Sequence, residues 1–303
     1  MTLIVTGSIT IDSVDTSTDS VRDILGGSSV FFSAAASFFG PVRLVGAVGG
    51  DCPDEYLAEL KRFGVDMRGL ERRTGSKTFR WHGRYHENMN KRDTIAIELN
   101  VLAEALPPVP DAFKDSKYVF LAVTNPGNQL ALLEQFPYHK LVVADTIDLY
   151  IDTEREELEQ VIRRVDGLII NDIEARMLTN ESNMIRAADK LMDSGPSFVV
   201  IKKGEHGVLL RHSDGFVALP AYPSDRVVDP TGAGDSFAGG MMGFMAAQDD
   251  LSLPTMRRAL AYGTSVASFT IEDFSLNRLH SLTREHVDQR YRQFAEMLDL
   301  SIS

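Results

Sequence analysis

A chain of 303 residues, 44% hydrophobic and 24% charged, is long enough to bury a sizeable core and falls within the range of one large α/β domain. Its net charge of −12 argues against a broad nucleic-acid footprint or an anionic membrane surface as the main partner and leaves room only for a local basic pocket. Cys52 is the only cysteine, which excludes an internal disulfide and a cysteine metal cage and suits a reducing, cytoplasmic setting.

Taken in chain order, "TLIVTG" (2–7) reads as a strand, without the basic flank of a signal peptide. A helix follows at 28–39, a strand at 42–49 and a helix at 53–63. From Gly75 to Val101 polar and apolar residues alternate, as in an antiparallel ribbon, and with 12–21 this ribbon predicts a small projecting sheet. The sheet reads either as a plain hairpin insertion or as a lid over a pocket, with Trp81 and Tyr85 facing the ligand. Strands at 118–123, 140–145, 167–171, 198–204 and 207–211 then alternate with helices at 128–136, 154–165, 172–179, 183–194, 234–248 and 254–270. Near-continuous Val/Ile/Leu strands are those of a mostly parallel sheet covered on both faces, which predicts a three-layer α/β fold. No repeat or linker divides the chain, so 1–303 is expected to be one domain, with a small β-lid formed from about 12–21 and 75–101. No apolar run approaches the roughly 18 residues of a membrane helix.

The stretch "VVDPTGAGDSFAGGMMGF" (227–244) passes from turn residues to an apolar helix, with Asp235 near the helix start. A helix N-terminus offers unpaired amides and partial positive charge, so it attracts anions. Gly232, Ala233 and Gly234 let that backbone approach a phosphate closely, and Asp235 can take a proton from an attacking hydroxyl. On this segment alone, a helix cap with a tight turn remains an equal alternative. The glycine fingerprint of dinucleotide folds and the Walker-type phosphate loop are both absent, which disfavours a dehydrogenase.

"DPTGAGDSFAGG" resembles the C-terminal signature of the ribokinase-like (PfkB) carbohydrate kinase family. The likeness extends to Asp12, Gly26-Gly27, "VGAVGGD" (45–51), "NDIE" (171–174) and "KKGEHG" (202–207), in the family's order. The resemblance implies a ribokinase-like fold and an ATP- and Mg²⁺-dependent kinase, with Asp235 as general base and the amides of 232–235 as anion hole. Asn171 and Glu174 match the motif that organises Mg²⁺ through water, with a helix cap as the structural alternative. Lys202, Lys203, Gly204 and Gly207 match the nucleotide segment, where a plain hairpin turn is the alternative. Asp229 and Thr231 stand where relatives often hold a monovalent cation such as K⁺. Asp12, Gly26 and Gly27 match acceptor-binding positions, with an Asx turn and a helix-entry turn as alternatives.

The family's substrate Asn after the double glycine is replaced by Phe31, which either stacks on a ring or belongs to the core, and an Asn near the adenine site is replaced by Tyr262. The implied acceptor is a small polyol, a sugar or cyclitol first and a nucleoside second, with Phe31, Trp81 and Tyr85 discriminating between them. A non-catalytic binding relative is the alternative of another class, and a homodimer through the lid is a family-based expectation.

Overall fold

The computed structural model describes residues 1–299. Its central sheet has nine strands, in the order β13-β12-β11-β10-β9-β8-β1-β4-β5. In sequence these are β1 (Leu3–Thr6), β4 (Val42–Gly49), β5 (Asp66–Arg73), β8 (Tyr118–Leu121), β9 (Leu141–Ala144), β10 (Gly167–Asn171), β11 (Phe198–Lys202), β12 (Val208–His212) and β13 (Gly215–Leu219). Pairing is parallel from β5 to β11, and β12 and β13 close the edge as antiparallel strands. Residues such as Ile4, Val142 and Ile169 are fully buried because helices cover both faces.

On one face lie α1 (Ser28–Ser37), α2 (Asp54–Arg62), α8 (Ala233–Gln248), α9 (Leu253–Thr270), α10 (Asn277–His280) and α11 (Arg284–Met297), around a core that includes Phe32, Phe120 and Met241. On the other lie α3 (Pro126–Leu133), α4 (Asp148–Thr153), α5 (Arg155–Ile162), α6 (Asp172–Thr179) and α7 (Met184–Met192), around Val119, Leu168 and Ile201. This is the expected three-layer α/β architecture. Among the described residues no helix is long and apolar enough to cross a membrane.

A second sheet of four strands runs β3-β2-β6-β7, with β2 at Thr10–Asp15, β3 at Ser20–Gly26, β6 at Phe79–Tyr85 and β7 at Arg92–Glu98. Its first hairpin is longer than the 12–21 segment read from sequence, and Gly26 ends β3 rather than opening α1. The predicted strand 198–204 stops at Lys202, because Gly204–His206 turns as a 3₁₀ helix. Sequence periodicity missed β5, whose "DMRGLERR" is an edge strand rich in charge, and α11, held to the body largely by Val287 and Phe294.

Candidate active site

Gly232 adopts φ +75° just before α8, and no side chain caps that helix. A Cβ at this position would lie 2.3 Å from the Phe31 ring, so only glycine fits both the backbone and the packing. The N–H of Ala233 donates to Pro230 and that of Ser236 to Gly232, while the amide of Gly234 has no backbone carbonyl partner. Asp235 thus sits in the first turn of α8 beside an open amide, partly accessible to solvent. Burial pushes its pKa up to about 7; Asp145 adds to that rise, and Lys202 and Arg92 oppose it.

The small sheet supplies a second acid. Asp12 on β2 and Trp81 on β6 are register partners, so both side chains leave the sheet on one face. Asp12 lies across Gly26, where a Cβ would come within 1.8 Å of its Oδ2, and Thr10 donates to its Oδ1. It is 4% exposed, and its pKa is pushed up to about 7, chiefly by burial against the Thr10 hydrogen bond, with Asp229 and Asp235 adding to the rise. Trp81 is half-buried, anchored by its Nε1 donating to Thr94 at 3.2 Å, and the Arg92 guanidinium lies 5.6 Å from its ring centre.

Lys202 ends β11 on the face that carries α8. Its Nζ is 3.0 Å from Asp145 Oδ2, and a Cβ on Gly234 would be 3.1 Å from that same nitrogen. Burial works against the ammonium, but Asp145, Glu174 and Asp235 together outweigh it and hold its pKa above the ordinary lysine value. Asn171 and Glu174 form a capping box at the start of α6: the Asn171 N–H and Nδ2 donate to the carboxylate at 2.7 and 2.6 Å, and Glu174 N donates to Asn171 Oδ1 at 2.9 Å. Burial and then the charge of Asp145 push the Glu174 pKa up to about 8, with Lys202 opposing.

Tyr85 accepts a hydrogen bond from the Thr231 hydroxyl at 3.1 Å and so rests on the Gly-rich turn. At the tip of the second sheet, Asn90 donates to Glu205 at 2.7 Å, touching the Gly204–Gly207 turn. Asp229 is 1% exposed; its Oδ1 accepts from Thr231 N, and its Oδ2 has no partner.

The remaining expected residues divide. Gly27 stands at the N-cap of α1 beside this cluster. Phe31, 2% exposed, packs beneath Gly232. Lys203, unlike Lys202, lines a cavity of about 410 Å³ together with His206, Met184 and Asn183. Tyr262 is stacked 4.0 Å from Tyr291 and bonded to Asp288 within the helical layer. Sequence reasoning reaches Asp145 only as part of "ADTIDLY" (144–150), a polar strand end at the carboxyl edge of the sheet, and does not single out Arg92. Asp145 had a signal, as the first polar residue after "LVVA" at the carboxyl edge of a parallel sheet. Arg92 had none beyond lying in the ribbon.

Open amides at a helix start, a carboxylate of raised proton affinity and a lysine behind them are the equipment of a phosphotransferase. A profile for the pfkB family of carbohydrate kinases matches residues 3–281, and the chain belongs to that family. It is a phosphotransferase, a sugar or nucleoside kinase of the ribokinase type. The cytidine kinase of Thermococcus kodakarensis is 31% identical over 247 residues, covering 79% of this chain and 87% of that protein. The nucleoside kinase of Methanothermobacter thermautotrophicus is 29% identical over 261 residues, covering 84% and 80%. The crystal structure of the Methanocaldococcus jannaschii nucleoside kinase, an archaeal member of the ribokinase family, has the same fold, with a TM-score of 0.78 at 19% identity over 97% of this chain and 99% of that one.

Two outcomes are expected. Gly232→Ala lowers both the melting temperature and turnover, because it strains a left-handed residue and collides with Phe31; thermal denaturation and a kinase assay check this. The second concerns pH. Asp235 binds its proton more tightly folded than unfolded, so this residue destabilises the fold progressively as pH rises from about 4 to about 7. Asp235→Asn therefore melts higher than wild type at pH 8, with the gap shrinking towards pH 4; an equal gap at both pH values contradicts the burial argument.

Proposed function

We propose that the protein phosphorylates a hydroxyl of a nucleoside, using ATP as donor and Asp235 as general base. The observation that carries this reading is the pairing of Asp12 with Trp81 on one face of the small sheet: a carboxylate for ribose hydroxyls beside an aromatic ring for a base. The names of the two curated relatives point the same way. A sugar or cyclitol would engage Asp12, Gly26 and Gly27 but bring no planar base to the Trp81 ring. In this reading the second sheet is a lid, closed on the turn by Tyr85 and on the nucleotide segment by Asn90.

Asp235 removes the hydroxyl proton as the oxygen attacks the γ-phosphorus. The bond from that phosphorus to the bridging oxygen breaks, and ADP leaves with the electron pair. The amides around Gly234 and the Lys202 ammonium face the charge that develops on the transferring group. Lys203, Gly204 and Gly207 contribute backbone at the nucleotide turn, and Lys203 also lines the cavity described above.

Among the described residues no three carboxylate, histidine or cysteine side chains form a direct metal cage. Glu174, buried and engaged with Asn171, fits a Mg²⁺ ion held by phosphates and water rather than by protein ligands. Such an ion would neutralise charge on the donor's phosphates. The unpartnered Oδ2 of Asp229 fits a monovalent cation such as K⁺, with Thr231 bonded to the other oxygen of the same carboxylate.

A panel measuring ADP release with nucleosides, sugars and inositols tests the reading; turnover of sugars alone overturns it. Asp235→Asn is expected to lower kcat about 10²–10⁴-fold with nucleotide binding retained, and wild-type kcat/KM to rise with pH up to a limb near 7, where the free carboxylate loses its proton. Replacing K⁺ by a bulky organic cation is expected to slow the reaction; equal rates count against the Asp229 site.

A further inference from the structure

Arg92 opens β7 as the register partner of Tyr85, so both side chains lie on the face of the small sheet that carries Asp12 and Trp81. Tyr85 is fixed to Thr231, which places this end of the sheet over the Gly-rich turn. The arginines of β6 have carboxylate partners: Arg80 pairs with Asp23 and Asp51, and Arg84 lies 3.8 Å from Asp15. No ion pair holds Arg92 among the described residues, and its guanidinium lies over the Trp81 ring instead. Trp81 packs where Gly83 leaves room and is pinned by Thr94, so the ring is a fixed platform with a movable cation on it.

We propose that Arg92 is a substrate-gated cation: it rests on Trp81 in the empty site, is displaced when the planar base of an acceptor takes its place on the ring, and then faces the transferring phosphoryl group. This rests on the nucleoside reading and deepens it. The charge of Arg92 already bears on Asp12, Glu174 and Asp235, which surround the place where phosphoryl transfer would occur. Lys202 is the other cation acting on Glu174 and Asp235, so a second positive group is in short supply as negative charge accumulates. An exposed cation–π contact is weak, and a nucleobase stacks on an aromatic ring at least as well. An acceptor without a planar base leaves Arg92 on Trp81 and goes without its help.

Trp81 is the only tryptophan, so its fluorescence reports the stack directly. The whole protein is titrated with cytidine, ribose and inositol, and kcat for cytidine and ribose is then compared between wild type and Arg92→Gln, whose folding is checked by its melting curve. Cytidine is expected to change Trp81 emission saturably, and ribose and inositol to leave it unaltered. The ratio of kcat for cytidine to kcat for ribose is expected to fall roughly 10²-fold in Arg92→Gln, the scale of losing one charge-stabilising donor, with the fluorescence-derived Kd for cytidine little changed. An unaltered ratio, or a loss appearing only in Kd, overturns the gating. The wild-type panel decides the nucleoside reading separately, since it does not involve Arg92.

Discussion

Crowding of negative charge is the constraint on which the site is built. Asp12, Asp145, Glu174, Asp229 and Asp235 come from four segments of the chain and converge at one place, the first four buried and Asp235 partly accessible. Left alone, such a group would neutralise itself by taking up protons. The ion pair of Lys202 with Asp145 keeps a fixed positive charge among them, and the start of α8 adds the partial charge of its amides. The balance leaves Asp235 with a proton affinity close to neutrality, the range in which a carboxylate both accepts a proton readily and is free to do so. The same burial weakens the fold, as expected where function is given precedence over stability.

The turn that carries Asp235 depends in turn on packing several residues away in space. Phe31 fills the room that a side chain at 232 would need, and α1 and α8 meet across small residues, which brings that ring under the turn. A position that departs from the pattern of the family's sugar kinases therefore has a structural task in this chain. In the proposed function, recognition of the acceptor then falls to the small sheet, where Trp81 and Asp12 stand side by side.

How far the sequence could be read follows from what periodicity records. Strands buried on both faces, such as "GLIIN" and "FVVIK", announce themselves by composition, and α8 by its glycines followed by an apolar run. The edge strand β5 and the solvent-facing α11 bury few side chains, so their patterns carry little hydrophobic signal. Within the site, Asp235, Asn171 and Glu174 lie on local motifs and were legible. Asp145 was marked only by its place at a strand end, and Arg92 reaches the site through strand register across distant segments, which no local spacing encodes. Lys202 and Lys203 part because β11 stops at Lys202 and Lys203 already caps the 3₁₀ turn that follows, which adjacency in sequence does not reveal.

The contact between Asn90 and Glu205 joins the tip of the small sheet to the turn beside the donor's side of the cleft. Any swing of that sheet wide enough to let an acceptor in or out must break this bond and the one between Tyr85 and Thr231 in the same motion. Under the proposed function, opening toward the acceptor is thereby tied mechanically to the turn on the donor's side.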